Sequence, residues 1–299
     1  MRAVMNPDDQ LGLPPITAAE AWRVILELRR HSDRGVADDH HPIASLALDP
    51  GSGGGNPSER RWSPEALAVF ELHREHACCA RARGCAIAML GQSLDGFIAT
   101  RAGHSRYING ADSLVHLHRL RALSDAVLIG VGTALADAPR LTTRHVPGPH
   151  ATRVVIDPRG RLPATSSLIR DGAAPTILLR AGAGPAGETR LSDQAIAVDL
   201  PARDGTIAPE TVVGALRRRG LTRLLLEGGG ITVARFLDAG LLDRLQLAVS
   251  PLILGAGRPA LPVAAAERLD QGRRPDCRHH LLGGDVLFDL RFPSAPDAG

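Results

Sequence analysis

The clearest chemical signal lies in the segment 223–232, where an apolar run ends at Glu227 and three glycines follow. This pattern predicts a strand, a tight turn and the start of a helix. Glycines let a backbone approach a ligand closely, and the free N–H groups of a helix N-terminus attract phosphate. We therefore expect a dinucleotide or a phosphorylated substrate here, and a plain strand-to-helix turn is the alternative. The candidate binding residues are Gly228, Gly229, Gly230, Ile231 and Thr232.

A second segment of the same build spans 125–133, where a short buried-type strand at 126–129 runs into a glycine turn. It is similar to a Rossmann fingerprint, but Leu135 occupies the position of the third glycine. The loop that follows carries a carboxylate and a guanidinium, each of which suits a different part of a nucleotide. Its candidate residues are Gly130, Gly132, Thr133, Asp137 and Arg144.

A third segment, 86–99, predicts an apolar strand that breaks at Gly91 and turns through Ser93, Leu94, Asp95 and Gly96. Strands that end in polar glycine turns often border ligand sites. The remaining pattern predicts a helix over 116–123, strands over 176–179 and 286–291, a helix over 210–219, and a long strand over 245–254. A mainly parallel sheet would bring the three glycine segments together at the carboxyl ends of its strands.

Taken in order, the motifs SLDG–IA, DAVLIGVGT with D-x-P-x-L-T-x-R, and LLLEGGG closely resemble the reductase domain of the bifunctional riboflavin-biosynthesis deaminase/reductase family. The resemblance covers residues 84–293. It implies a dihydrofolate-reductase-like α/β fold, with a mixed, mostly parallel sheet and flanking helices. It also implies a homodimer that uses NADPH to reduce the ribosyl group of an aminopyrimidine ribose 5′-phosphate to ribityl.

The resemblance also implies roles for individual residues. Cofactor positions fall on Gly91, Tyr107, Thr133, Asp137 and the segment Gly229 to Arg235, and substrate positions fall on Ser105, Leu141, Arg144 and Glu227. Glu227 and Asp137 are the candidate catalytic carboxylates.

Each of these roles has a structural alternative. The Arg144 guanidinium suits a 5′-phosphate, but it could be a solvated loop arginine. Glu227 ends an apolar strand and needs hydrogen-bond donors, for which a substrate amine or hydroxyl is a natural partner, although it could cap its own glycine turn. Asp137 could form an Asx-turn before Pro139. Asp95 could serve simply to shape the turn from Ser93 to Gly96.

NADPH is expected over NADH, because Arg159 and Arg161 follow the strand 153–157, where an adenosine 2′-phosphate could lie. The alternative is that both arginines are surface charges, since all 35 basic residues of the chain are arginine. Two departures from the family bear on specificity. Tyr107 stands where members often carry Trp, and Phe97 stands where they often carry a basic residue. Reduction of a pterin or another heterocycle is therefore an alternative, as is a non-catalytic nucleotide-binding or interaction protein.

The residues before the reductase-like region, 1–83, form a predicted helical extension. Thr17 and Glu20 match a capping box and Ser63-Pro64 repeats a helix start, while the segment 49–57 is a predicted Gly-rich linker. The extension carries no catalytic constellation, and packing is its expected role. The family's deaminase half is expected to be absent.

Charge and cysteine usage exclude several classes. The formal net charge is +3, with 35 basic and 32 acidic residues well mixed, so no nucleic-acid groove is expected. No apolar stretch of membrane-spanning length and no leader is found, which predicts no membrane partner and a cytoplasmic location. His73 and Glu75 match half of a zinc deaminase signature, but the Cys spacing supplies neither its second half nor a disulfide framework, so no metal is expected. The cysteines are Cys78, Cys79, Cys85 and Cys277.

Overall fold

The structure is a computed structural model that describes residues 15–34, 62–182 and 187–292 of the 299-residue chain. The chain divides into two compact units, residues 1–81 and residues 82–299. The predicted linker around 49–57 lies outside the described residues.

The described part of the first unit contains two helices, α1 (Ala18–Asp33) and α2 (Pro64–Ala77). The Thr17 side chain accepts the Glu20 backbone N–H and the Glu20 carboxylate accepts the Thr17 N–H, which confirms the predicted capping box. Ser63 caps α2 by accepting the Ala66 N–H, as its Ser-Pro start predicted. The two helices pack through buried apolar side chains, among them Trp22, Ile25, Leu28, Val69 and Phe70.

The described part of the second unit is built on a ten-stranded sheet. Its strands are β1 (Cys85–Ser93), β3 (Ala126–Gly130), β4 (Thr152–Ile156), β5 (Thr176–Ala181), β6 (Glu188–Arg190), β7 (Ala195–Leu200), β8 (Arg223–Leu226), β9 (Arg244–Ser250), β11 (Asp276–Leu282) and β12 (Asp285–Arg291). Their order is β11-β12-β9-β1-β8-β3-β4-β5-β7-β6. A separate two-stranded ribbon pairs β2 (Phe97–Thr100) with β10 (Gly257–Pro259).

The strands from β9 to β7 run parallel to their neighbours, whereas β11, β12 and β6 pair antiparallel at the two edges. The central strands β3 and β8 are almost continuously buried, as expected for a parallel sheet covered on both faces. The helices of this unit are α3 (Ala111–Leu123), α4 (Val131–Asp137), α5 (Ser167–Arg170), α6 (Pro209–Arg217) and α7 (Gly230–Asp238), and a 3₁₀ turn covers Leu269–Gln271. The predicted mixed, mostly parallel sheet with flanking helices is confirmed.

Two of the strand boundaries that differ from the sequence prediction have a clear physical reason. The first strand does not break at Gly91 but continues to Ser93. The glycine serves close packing instead, because a Cβ atom at this position would overlap the side-chain amide of Asn109. The strand predicted over 245–254 ends at Ser250, immediately before Pro251, which has no N–H to donate to a neighbouring strand.

None of the described helices combines the length and apolarity needed to cross a membrane.

Candidate active site

A cavity of about 1030 Å³ opens at the carboxyl ends of β1, β8 and β3, which are neighbours in the sheet. Two of the glycine segments follow β3 and β8, and Gly91 of the third lies near the end of β1, so the sheet brings the three segments to one place, as the sequence predicted. Most of the candidate residues line this cavity: Gly91, Ser105, Tyr107, Gly130, Gly132, Thr133, Asp137, Arg159, Glu227, Gly228, Gly229, Gly230, Ile231, Thr232 and Arg235. Leu141 and Arg144 are not among its lining residues.

The two glycine turns at the centre interlock. A Cβ atom on Gly130 would lie 2.6 Å from Oγ1 of Thr232, and one on Gly229 would lie 3.1 Å from Oγ1 of Thr133. Each turn therefore makes room for the hydroxyl of the other. The consequence is that α4 and α7 begin side by side on the cavity wall, with two hydroxyls and two helix N-termini in one place.

Glu227 is held by an arginine that the sequence analysis did not identify. Its two carboxylate oxygens accept hydrogen bonds from Nε and Nη2 of Arg121, on α3, at 2.6 Å each. Both side chains are less than 10% exposed, at 6% for Glu227 and 7% for Arg121. The need of a carboxylate at the end of an apolar strand for a donor was visible in the sequence. The sequence did not show which of the many arginines is that donor.

Arg121 also fixes the loop that follows α4, because its Nη1 donates to the backbone carbonyl of Thr142 at 2.9 Å. Two residues later the backbone N–H of Arg144 donates to Nδ1 of His118 at 2.8 Å. The exposed Arg144 guanidinium donates to the carbonyl and the hydroxyl of Thr142. Leu141 is buried, with a left-handed φ of 56°.

Charge in this loop is strongly positive. Partial burial, followed by the like charges of Arg121 and Arg140, lowers the pKa of Arg144, and Glu227 acts in the opposite direction. Burial and the nearby Arg121 lower the pKa of His118 to about 3, so its imidazole is neutral and can accept the Arg144 N–H. Arg144 is therefore influenced by two further guanidinium groups and by the Glu227 carboxylate, which is bonded to Arg121.

Ser105 and Tyr107 reach the cavity from the loop 101–110. The Ser105 hydroxyl donates to Oδ1 of Asp137 at 3.0 Å, which links this loop to the end of α4. Tyr107 has a left-handed φ of 64° and its side chain is 93% exposed. The two predicted site carboxylates thus have different partners, a neutral hydroxyl for Asp137 and a guanidinium for Glu227.

Asp95 serves the turn between β1 and β2. Its carboxylate accepts hydrogen bonds from the Ser93 hydroxyl and from the backbone N–H groups of Leu254 and Gly255. These bonds, the one from Ser93 first, lower the pKa of Asp95. Asp95 therefore shapes its turn, as the sequence indicated, and ties that turn to the loop after β9.

Five arginines line the cavity: Arg106, Arg159, Arg161, Arg235 and Arg258. Arg159 and Arg161 follow β4, on one side of the interlocked turns, and Gly205 and Thr206 line the same side. A cavity with this charge suits anionic ligands.

The zinc half-motif has a structural explanation. His73 is buried, its Nδ1 lies 2.7 Å from the carbonyl of Val69, and its ring packs edge-on against Trp22. Across the described residues, no group of three or more His, Cys, Asp or Glu side chains could hold a metal ion.

Comparison with known proteins finds similarity to proteins of riboflavin biosynthesis. Residues 86–272 match the family model of the RibD C-terminal domain. The chain is 34% identical over 204 residues to the 2,5-diamino-6-ribosylamino-4(3H)-pyrimidinone 5′-phosphate reductase of Methanothermobacter thermautotrophicus, covering 66% of this chain and 93% of that protein. It is 32% identical over 167 residues to the riboflavin biosynthesis protein RibD of Aquifex aeolicus, covering 56% of this chain but only 46% of that one.

Among solved structures, the deaminase/reductase of Thermotoga maritima superposes with a TM-score of 0.61 at 21% identity. The match covers 85% of this chain and 69% of that chain. At this identity the similarity concerns the fold.

Proposed function

Because the chain belongs to the RibD C-terminal domain family, we propose that it is an NADPH-dependent reductase of the riboflavin pathway type. It converts the ribosyl group of an aminopyrimidine ribose 5′-phosphate into an open ribityl chain. One observation carries this proposal: the buried pair of Glu227 and Arg121 stands at the edge of a cavity built from interlocked glycine turns, within a cluster of positive charge.

The interlocked turns support binding of a dinucleotide. Two adjacent helix N-termini and the Thr133 and Thr232 hydroxyls offer donors to a pyrophosphate. Arg159 and Arg161 would pair with a 2′-phosphate at the β4 side of the cavity. A bound NADPH supplies the hydride, and the protein supplies orientation and electrostatics.

The positive loop supports binding of a phosphorylated substrate. Arg121, Arg140 and Arg144 carry three positive charges against the single negative charge of Glu227. A phosphate dianion would balance the surplus. Arg140 and Arg144 are both exposed and able to reach it, and Arg144 is the predicted phosphate ligand. Ser105, on the cavity wall, would contact the sugar, whereas the buried Leu141 would support the loop that carries Arg144.

The chemistry requires that the sugar ring open before or during reduction. Opening of a ribosylamine places positive charge on the C1′–N bond, and the Glu227 carboxylate, held by Arg121, would stabilise that charge. As the C1′–O bond breaks, the ring oxygen would take up a proton from solvent and become a hydroxyl, and hydride from the cofactor would add to C1′ of the resulting iminium. Asp137 accepts a hydrogen bond from the Ser105 hydroxyl. It would be the second carboxylate of the reaction, beside Glu227.

Steady-state turnover tests the proposal. NADPH oxidation should depend on the aminopyrimidine ribose 5′-phosphate, and mass spectrometry should detect the ribityl product. Oxidation that instead depends on a pterin would reassign the substrate, and binding of NADPH without turnover of either compound would indicate a non-catalytic protein. The homodimer and the cytoplasmic location stay predictions.

A further inference from the structure

Asn109 occupies an unusual position on the cavity wall. Its Nδ2 donates to the backbone carbonyl of Ala248, on β9, at 2.9 Å. Ala248 is the registered partner of Gly91 on β1, so the Asn109 side chain lies across this pair of strands. Both Asn109 and Gly91 line the cavity.

The orientation of this amide is fixed by its partners. A carbonyl can only accept, so the nitrogen of the amide must face Ala248 and the oxygen must face away from it. The oxygen then lies where a Cβ atom at position 91 would be, and only glycine leaves that space open. Gly91 and Asn109 are therefore complementary in shape.

Asn109 lines the cavity, its Oδ1 lies beside Gly91, and none of the described residues donates a hydrogen bond to that oxygen. The cavity's carboxylates differ in this respect, because Glu227 is bonded to Arg121 and Asp137 to Ser105. A neutral amide oxygen is suited to a neutral N–H donor, such as a carboxamide or an aromatic amine. Both kinds of donor occur in the ligands of the proposed reaction.

The position of Asn109 along the sheet favours the cofactor as the source of that donor. Arg159 follows β4, and β1 lies three strands away in the order β1-β8-β3-β4, which corresponds to about 14 Å. A dinucleotide whose 2′-phosphate is held at β4 is long enough to reach β1. It would then present its nicotinamide end beside Gly91 and close to Glu227.

We propose that Oδ1 of Asn109 accepts a hydrogen bond from the carboxamide N–H of the nicotinamide ring. Gly91 leaves the space that the Asn109 side-chain amide needs. This inference rests on the proposed function. It adds a residue that contacts the cofactor. It also explains the glycine at position 91 by the room that the Asn109 side chain needs. Asn109 would orient the reacting end of the cofactor, whereas the arginines hold its phosphate.

Binding measurements with three probes test the proposal. For the wild-type protein, NADPH should bind about fivefold more tightly than its 3-acetylpyridine analogue, which lacks the amide N–H, since one neutral hydrogen bond contributes this much. Asn109→Ala should weaken NADPH binding about fivefold and remove that preference. Its affinity for 2′-phospho-ADP-ribose, which lacks the nicotinamide ring, should stay unchanged, which also reports that the variant is folded.

A double-mutant cycle supplies the second test. In Gly91→Ala the added methyl displaces the Asn109 amide, so NADPH affinity should fall as it does in Asn109→Ala. The double variant should show no further loss, because both changes remove the same contact. Equal NADPH affinity in the wild type and Asn109→Ala would overturn the proposal, as would a raised KM for the aminopyrimidine with unchanged NADPH binding. Failure of the wild type to bind NADPH at all would instead contradict the proposed function.

Discussion

Replacement of Glu227 by Gln separates a catalytic role from a structural one. The change keeps the volume of the side chain but removes the charge that faces Arg121, on a pair with two hydrogen bonds of 2.6 Å. Because the Gln side chain offers Arg121 one oxygen and one NH2 group, one of the two hydrogen bonds is replaced by a contact between two N–H donors. A hydrogen bond to a charged group contributes about 1.5–3 kcal/mol, and this pair is buried. We therefore expect the free energy of unfolding to fall by about 2–4 kcal/mol.

The same change should lower kcat by at least about tenfold, because the charge beside the reacting sugar is lost. Denaturant unfolding followed by far-ultraviolet circular dichroism measures the first effect. Absorbance of NADPH at saturating cofactor measures the second.

Asp289→Asn is the matched control. Asp289 forms a second buried, two-bond pair with Arg244, at 3.0 and 2.6 Å, and it does not line the cavity. The control should lose a similar amount of stability while the folded protein keeps its kcat. If Glu227→Gln also keeps the wild-type kcat, then Glu227 only holds Arg121 and the catalytic assignment is refuted.

Three further changes have defined outcomes. Arg144→Ala should raise KM for the phosphorylated substrate about tenfold or more, because charge-assisted bonds to the phosphate are lost; unchanged kinetics would leave Arg144 a solvated loop residue. Arg159→Ala should reduce the ratio of kcat/KM with NADPH to kcat/KM with NADH, and an unchanged ratio would remove Arg159 from the 2′-phosphate site. Burial lowers the pKa of His116 from 6.5 to about 4, so the unfolded chain binds the extra proton, and this histidine alone should lower stability by about 3 kcal/mol as pH drops from 6.5 to 4, in addition to the share of His118. Denaturant unfolding across this pH range checks it, and a His116→Gln variant with the same pH dependence would assign the effect to other groups.

The parts of the fold that follow from local sequence were predictable. The capping box at Thr17 and the Ser63-Pro64 start depend on residues three positions apart or fewer. The strand–glycine–helix units at Gly130 and Gly229 depend on an apolar run and the residues directly after it. Their convergence at one sheet edge follows from parallel pairing alone.

The contacts that complete the site depend on distant parts of the chain. Arg121 and Glu227 are 106 positions apart, and nothing in the helix containing Arg121 distinguishes it from the other arginines. The Asn109 side chain packs against Gly91 and donates to Ala248, and neither contact is visible in the local sequence, which predicts only a strand break at the glycine. The edge strand β11 carries mostly exposed residues and therefore shows no alternation of buried and exposed positions that a sequence pattern could reveal.

Hydride transfer to the sugar is the central claim of this account, and an isotope measures it most directly. The protein would be incubated with the aminopyrimidine ribose 5′-phosphate and NADPH deuterated at C4 of the nicotinamide ring, in parallel with both C4 stereoisomers. We predict that one stereoisomer delivers its deuterium to C1′ of the ribityl product, which mass spectrometry and proton NMR would locate. A ribityl product without deuterium at C1′ from either stereoisomer would contradict the account.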